Sequence, residues 1–185
     1  MLIFRIIWIA WCASEVLLNR LLHSGSNDRR GQDKGSLIFI WMMISLAISL
    51  GFIFAIYFKV PISNEILISY VGLFIIVVGM AIRFVSIWTL GKYFTVDVTI
   101  RDDHKLKKDG FYKIIRHPSY SGSLLTFLGF GLTLGNYLSL LIVFLPVLAV
   151  FLYRINIEEK ALIYNFKNEY TEYQKKTKKL IPFIY

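Results

Sequence analysis

Charge is scarce in this chain: Asp, Glu, Lys and Arg make up 18% of its 185 residues, against 56% hydrophobic residues. With a mean hydropathy of +0.59, that balance excludes an ordinary soluble domain. Cysteine is nearly absent. Cys12 stands alone, which rules out an intrachain disulfide framework and a thiolate zinc cluster. No Gly-rich phosphate loop of the Rossmann or P-loop type occurs. Asp102, Asp103 and His104 lie in one run but lack a regular ligand spacing, so no metal site is expected. The N-terminus has neither a basic n-region nor a clear small-residue cleavage site, and its first apolar run reads as a retained span. There is no internal repeat and no low-complexity tract.

Long apolar runs are what the chain does have. The first, Leu2 to about Leu22, carries Arg5, Glu15, Asn19 and Arg20; Glu15 is expected to face protein or headgroups. A polar segment from His23 to Gly35 leads to a cleaner run, Ser36 to Tyr57, and a turn marked by Lys59, Pro61 and Asn64. The third run, Ile66 to Leu90, offers Gly72, Gly79 and Ala81 for close helix contact, with Arg83 near its end able to snorkel. From Gly91 to His117 the hydrophobicity collapses into a charged connection too long for a bundle turn. Apolar sequence resumes at Tyr120 and runs to Tyr153, broken at Gly135 and Asn136, which predicts a helical hairpin. After Arg154 the pattern turns amphipathic and predicts a surface helix running toward Pro182.

The expected fold is therefore all-α, a polytopic membrane bundle of about five transmembrane helices in a single domain, 1–185. Five spans put the His23–Gly35 loop, the charged connection and the basic tail on one side. These segments hold most of the Lys and Arg behind the formal net charge of +9, so membrane topology accounts for the basicity and no nucleic-acid partner is expected. The positive-inside rule assigns them to the cytoplasm and the N-terminus to the outside.

Polar chemistry gathers on that same side. Arg116 and His117 precede Pro118, which suits the first turn of a helix because its missing N–H would be unpaired there anyway. Free N–H groups with Arg116 beside them suit a carboxylate or phosphate; the plainer reading is a pair of interfacial anchors. Arg154 and Glu158 are one helical turn apart and share a face, whereas Glu159 points about 100° away. A simple i,i+4 ion pair is the plain alternative here. The fifth span, however, delivers Arg154 and Glu158 to the interface where Arg116 and His117 open the fourth.

The ordered set His104, Leu106, Gly110, Tyr112, then Arg116-His117-Pro118-Ser119-Tyr120 and Gly122, then Arg154, Glu158-Glu159, Leu162, Phe166, Tyr170 and Tyr173 resembles the isoprenylcysteine carboxyl methyltransferase family. The resemblance covers the C-terminal half, about 91–185, which it marks as the catalytic part. It implies a membrane-embedded enzyme using S-adenosylmethionine without a Rossmann domain. By position it implies that His104, Lys105, Leu106 and Lys107 line the cofactor, with Tyr112 nearby. His117, Pro118, Ser119 and Tyr120 would hold its methionine and ribose portion, Glu158 would accept a hydrogen bond from it, and Arg154 would face the acceptor. A Gln that some members use upstream of His104 is replaced here by Asp97. The implied acceptor is an isoprenylcysteine-like or other lipophilic small molecule entering from the bilayer, already ionised as a carboxylate, so positioning and desolvation would carry the catalysis.

Other readings stay open at this stage. Phospholipid amine N-methyltransferases share similar motifs, and sterol-type membrane reductases, which use NADPH, carry a comparable Arg-His-Pro segment. The Glu158-Glu159 pair with its following aromatic residues fits the methyltransferase pattern better, and no second basic cluster stands out for a 2′-phosphate. A non-catalytic membrane scaffold would bind no cofactor.

Overall fold

The computed structural model describes residues 2–22, 35–62, 66–96 and 105–185. The segment 23–34, Asn64, Asp97, Asp102, Asp103 and His104 lie outside the described residues, and with them the expectations placed on them. Among the described residues six α-helices follow one another: α1 (Leu2–Leu21), α2 (Ser36–Tyr57), α3 (Leu67–Leu90), α4 (Pro118–Thr133), α5 (Tyr137–Phe166) and α6 (Asn168–Lys176). Short 3₁₀ turns, Gly91–Tyr93 and Gly110–Lys113, punctuate the connection before α4. Helices α1, α2, α5 and α3, the last with its short extension to Tyr93, are long and apolar enough to cross a membrane, and the chain is an integral multi-pass membrane protein.

Helix α4, where a further span was expected, is different in kind and is not among the helices long enough to cross. Helix α4 has 16 residues, about 24 Å at 1.5 Å per residue, short of a hydrocarbon core of roughly 30 Å. It can be short because it meets protein on most sides: Pro118, Ser123, Thr126, Phe127, Phe130 and Thr133 are all buried. Against α3 it packs antiparallel through a ladder of glycines. A Cβ on Gly79 would lie 2.6 Å from the Gly122 carbonyl oxygen, and one on Gly72 would lie 2.6 Å from that of Gly129. Seven residues separate the glycines on each helix, two turns, so both contacts fall on one face. Without an apolar drive between helices in lipid, such backbone-to-backbone approach is what holds them together. Gly72 and Gly79 thus fill the role expected of them; Ala81 does not, being exposed.

Helix α5 departs further from expectation. The chain does not end a span at Tyr153 and begin a separate surface helix; one helix of 30 residues runs to Phe166, about 45 Å. It stops where Lys167 takes a positive φ of 47°, and the short α6 follows. Nothing between Tyr153 and Phe166 breaks a helix, and the inward-facing Ile155, Glu159 and Ala161 continue the buried face. The amphipathic change along the sequence marks where this helix meets the polar end of the bundle.

The two ends of the bundle are distinct. At one, the turns after α2 and α4 meet: Ile62 N–H donates to the Gly135 carbonyl and Tyr137 N–H to that of Val60, both at 3.0 Å. Asn136 caps α5 by accepting from Ser139 N–H at 3.1 Å and donates to the Phe58 carbonyl. At the other end lie the last turn of α1, the start of α2, the connection before α4, and α6 with the tail. Helix α1 is the least embedded, with Trp11 its one buried residue. Its aromatic side chains hold it, Trp11 against Phe127 at 5.0 Å and Trp8 against Phe130 at 5.3 Å between ring centroids.

Candidate active site

The polar end is built on the entry to α4. Here the chain pairs with the tail: Arg116 N–H donates to the Lys178 carbonyl at 2.8 Å, and Lys178 N–H returns a bond to Ile114 at 3.0 Å. His117, 4% exposed, is the N-cap residue but makes no side-chain cap, which leaves its ring available. That ring lies between two carboxylates of α5. Nε2 is 3.2 Å from Glu159 Oε1 and Nδ1 is 3.9 Å from Glu158 Oε1. A carboxylate only accepts, so the short contact to Glu159 puts the proton on Nε2 and leaves Nδ1 toward Glu158.

Glu159 is the hub of this end. Besides His117 it accepts from Arg116 Nε at 2.8 Å and from the Tyr170 hydroxyl at 3.4 Å, and Lys179 Nζ lies 3.5 Å from its other oxygen. Arg116 also donates to the Thr177 carbonyl at 2.6 Å. The entry to α4, helix α5, helix α6 and the tail therefore share one buried ionic network. Its charges are paired and hydrogen-bonded, as burial requires.

Two further arginines face inward from the spans. Arg83 of α3 is ion-paired with Glu15 of α1: Nη2 donates to Oε2 at 2.8 Å, and Nε lies 2.7 Å from Oε1 without the alignment of a hydrogen bond. Its Nη1 donates to the Ser119 hydroxyl at 3.0 Å. Arg83 thus does not snorkel to the headgroups as expected; a carboxylate within the bundle holds it. Arg154, 1% exposed, donates to the Ser36 hydroxyl at the start of α2 and to the Val96 carbonyl at 2.6 Å.

These groups surround one cavity of about 390 Å³, within the usual range for small-molecule sites. Of the residues that the sequence singled out, Leu106, Lys107, Tyr112, His117, Ser119, Tyr120, Arg154 and Glu158 line it. Pro118 is buried beside it, and Lys105 is exposed; neither is on the lining. Lys107 is held by Asp109 at 3.1 Å, and that hydrogen bond keeps the Asp109 carboxyl below its ordinary range. Burial pushes the phenols of Tyr112, Tyr170 and Tyr173 well above theirs. They enter the wall as neutral, stackable rings with a donor each: Tyr173 gives its proton to the Tyr112 carbonyl at 2.5 Å and Tyr112 gives its own to the Ser86 carbonyl at 3.3 Å.

The cavity changes character along its length. Away from the polar end its walls are Trp11, Ile40, Ile44, Ile48 and Phe127, contributed by α1, α2 and α4. Glu15 and Arg83, both on the lining, were not identified as site residues from the sequence. A signal was present: Glu15 stands six residues before the end of α1 and Arg83 seven before the end of α3. Opposite charges at equal depth in two apolar spans point to a pair. Tyr170 and Tyr173, part of the family-like pattern but given no role by it, line the cavity too.

A profile of the isoprenylcysteine carboxyl methyltransferase (ICMT) family matches residues 70–164. A probable protein-S-isoprenylcysteine O-methyltransferase of Oryza sativa subsp. indica is 39% identical over 119 residues, 63% of this chain and 62% of that protein. The protein-S-isoprenylcysteine O-methyltransferase of Saccharomyces cerevisiae is 38% identical over 120 residues, 64% of this chain and half of that one. A solved structure of a eukaryotic intramembrane Ras methyltransferase, ICMT, superimposes with a TM-score of 0.66 at 30% identity, covering 78% of this chain and 52% of that one. The match spans less than two thirds of these relatives' length. Since the family profile takes in more than half of the residues, from the glycine ladder of α3 through the carboxylates of α5, the chain belongs to the isoprenylcysteine carboxyl methyltransferase family.

Proposed function

We propose that the protein is a membrane-embedded, S-adenosylmethionine-dependent carboxyl O-methyltransferase whose acceptor is a lipophilic carboxylic acid of the isoprenylcysteine type. The observation that carries this reading is a cavity that joins a charged, tyrosine-walled end to an apolar end between membrane helices. A reaction between a polar cofactor and a lipid-tailed acid needs both environments within bonding distance of each other.

The residues present fit the cofactor. Glu158, a third exposed at its side chain, offers an anion to an ammonium group. Leu106, Leu162 and Ala161, with Tyr170 and Tyr173, offer an apolar and aromatic wall to a base. His117 and Ser119, fixed by Glu159 and Arg83, offer polar atoms whose direction is set before binding. Bound there, S-adenosylmethionine would supply an electrophilic methyl group; a carboxylate oxygen takes it with no proton to remove, so no general base is asked of the chain.

The chain's own contribution is placement. Arg83 already holds a carboxylate as an acceptor would need, by an ion pair and one charge-assisted hydrogen bond, next to Ser119. Arg154, which donates to the Ser36 hydroxyl and the Val96 carbonyl, also lines this cavity. The lipid tail lies along Trp11, Ile44 and Phe127. Excluding water from this space strips the carboxylate of hydration and favours its attack. The Lys- and Arg-rich end faces the cytoplasm.

The test pairs binding with chemistry. Detergent-purified protein is titrated calorimetrically with S-adenosylhomocysteine and NADPH, and methyl transfer to N-acetyl-S-farnesylcysteine is followed as base-labile methanol. Binding of the adenosyl ligand, its loss in His117→Ala, and an ester product are expected. Binding of NADPH alone, or a base-stable methyl product on a lipid amine, would overturn the reading.

A further inference from the structure

The seat of a carboxylate in this cavity is filled by the chain itself. Glu15 and Arg83 are paired through both oxygens, at 2.7 and 2.8 Å, with side chains 19% and 13% exposed, and both lie on the cavity wall. A guanidinium at this depth cannot stand without an anion, because desolvating an uncompensated charge costs several kcal/mol. An acid that reaches Arg83 therefore has to replace Glu15.

We propose that Glu15 is a tethered stand-in for the acceptor carboxylate: it neutralises Arg83 between turnovers, yields to the incoming acid, and retakes Arg83 once the acid has become an ester. This rests on the reading of Arg83 as the acceptor's partner. Exchange of one carboxylate for another on the same guanidinium leaves the number of ion pairs on Arg83 unchanged, so the desolvation of Arg83 is met only once, on folding. The product is where the symmetry breaks. A methyl ester carries no charge and makes only a neutral hydrogen bond to Arg83, roughly half as strong as the charge-assisted one. Glu15 wins that contest, and the ester is displaced toward the apolar end. The device discriminates acid from ester in the direction that a methyltransferase needs.

The placement of Glu15 suits an exchangeable partner. Helix α1 is the least buried of the spans, and its attachment through Trp8 and Trp11 to Phe130 and Phe127 lies one to two turns below Glu15. The helix stays docked when the carboxylate lets go. By contrast, the other acid of the buried network, Glu159, is ringed by Arg116, His117, Tyr170 and Lys179 and is not on the cavity wall.

The experiment compares wild type with Glu15→Gln and Glu15→Asp in phosphatidylcholine nanodiscs, measuring the affinity of N-acetyl-S-farnesylcysteine and of its methyl ester. Glutamine keeps the shape and loses the charge-assisted grip, so the acid should bind about tenfold more tightly, with KM falling in step. The ester should change by less than a factor of two to three, and ester inhibition of turnover should grow relative to kcat. Glu15→Asp, one methylene short, should shift the acid in the same direction by less. An unchanged or weakened acid affinity in both variants, with S-adenosylhomocysteine binding intact as proof of fold, would overturn the stand-in and leave Glu15 a structural anchor. A wild type that binds neither acid nor ester is a different failure and removes the acceptor assignment itself.

Discussion

Replacing Gly122 by alanine tests whether the glycine ladder sets the geometry of the site. A Cβ there would lie 2.7 Å from the Arg83 nitrogen, 2.7 Å from the Gly79 carbonyl oxygen and 3.1 Å from the Arg83 Cα. All three are backbone atoms, so no side chain can swing aside. Reaching an ordinary separation of about 3.5 Å means parting α3 from α4 by roughly 0.8 Å at this level. Overpacking of this kind costs about 1–3 kcal/mol, which for a chain of this size lowers Tm by roughly 2–12 °C. The functional effect should be larger than the stability effect implies. The same displacement stretches the 3.0 Å bond from Arg83 to Ser119, and a misplacement of about 1 Å can reduce catalysis by 10²-fold. Thermal unfolding by intrinsic fluorescence and the rate of farnesylcysteine methylation are measured side by side. Ala81→Val, on the exposed face of α3, serves as the control. A Gly122→Ala protein with the Tm and kcat of wild type would refute the argument that backbone contact between these helices positions Arg83.

Two other predictions follow from the polar end. Glu159→Ala leaves Arg116 without its anion in a place where both side chains are 10% exposed. Removal of one partner of such a pair costs about 3–5 kcal/mol, so the variant should lose S-adenosylhomocysteine affinity and unfold well below wild type. Glu159→Gln, which keeps the acceptor oxygen, should recover most of the stability. The raised phenol pKa values of Tyr112, Tyr170 and Tyr173 carry a sign: the native state holds these groups neutral, the unfolded chain ionises them near pH 10. Their contribution is whole below that pH and is lost as pH rises toward the native values. Alkaline unfolding should accordingly shift to higher pH in Tyr112→Phe, and absorbance at 295 nm should show fewer phenols titrating in the folded protein than in the unfolded one.

The spans were legible because hydrophobicity is read directly from composition: α2 begins and ends at Ser36 and Tyr57 as the sequence alone indicated, and α1 and α3 differ by a residue at one end. Helix α5 was misdivided for a related reason. A helix that leaves the membrane changes its polarity without changing its backbone, and hydropathy cannot distinguish that from a boundary. Pairing between helices was the least legible. Arg83 looked like a snorkelling residue because its own neighbours are apolar; its partner Glu15 is 68 residues earlier, and only the fold brings the two together. The same holds for Glu159. Helical geometry correctly turned it away from Glu158's face, yet that face is occupied by Arg116 and His117, whose approach depends on the tail pairing with Ile114 and Arg116.

The mismatch between α4 and α5 explains why the charges stand where they do. Helix α4 ends and α5 begins at the same tight turn at Gly135 and Asn136, so lengths measured from that turn can be compared directly. The start of α4 is about 24 Å from that turn, and Arg154, 17 residues into α5, is about 26 Å from it. Through the antiparallel contact with α3, Arg83 lies level with Ser119. Arg83, Ser119, His117 and Arg154 thus share one level along the bundle, while Glu158 and Glu159 sit a turn higher on the extended part of α5. A longer α4 would lift Ser119 and His117 away from the level of Arg83 and Arg154. A short α4 beside a long α5 brings two guanidinium groups, those of Arg83 and Arg154, to one level of the cavity, with Glu158 a turn above them. The glycine ladder makes the short helix tolerable, since the contact with α3 supplies the packing that lipid would otherwise have to provide.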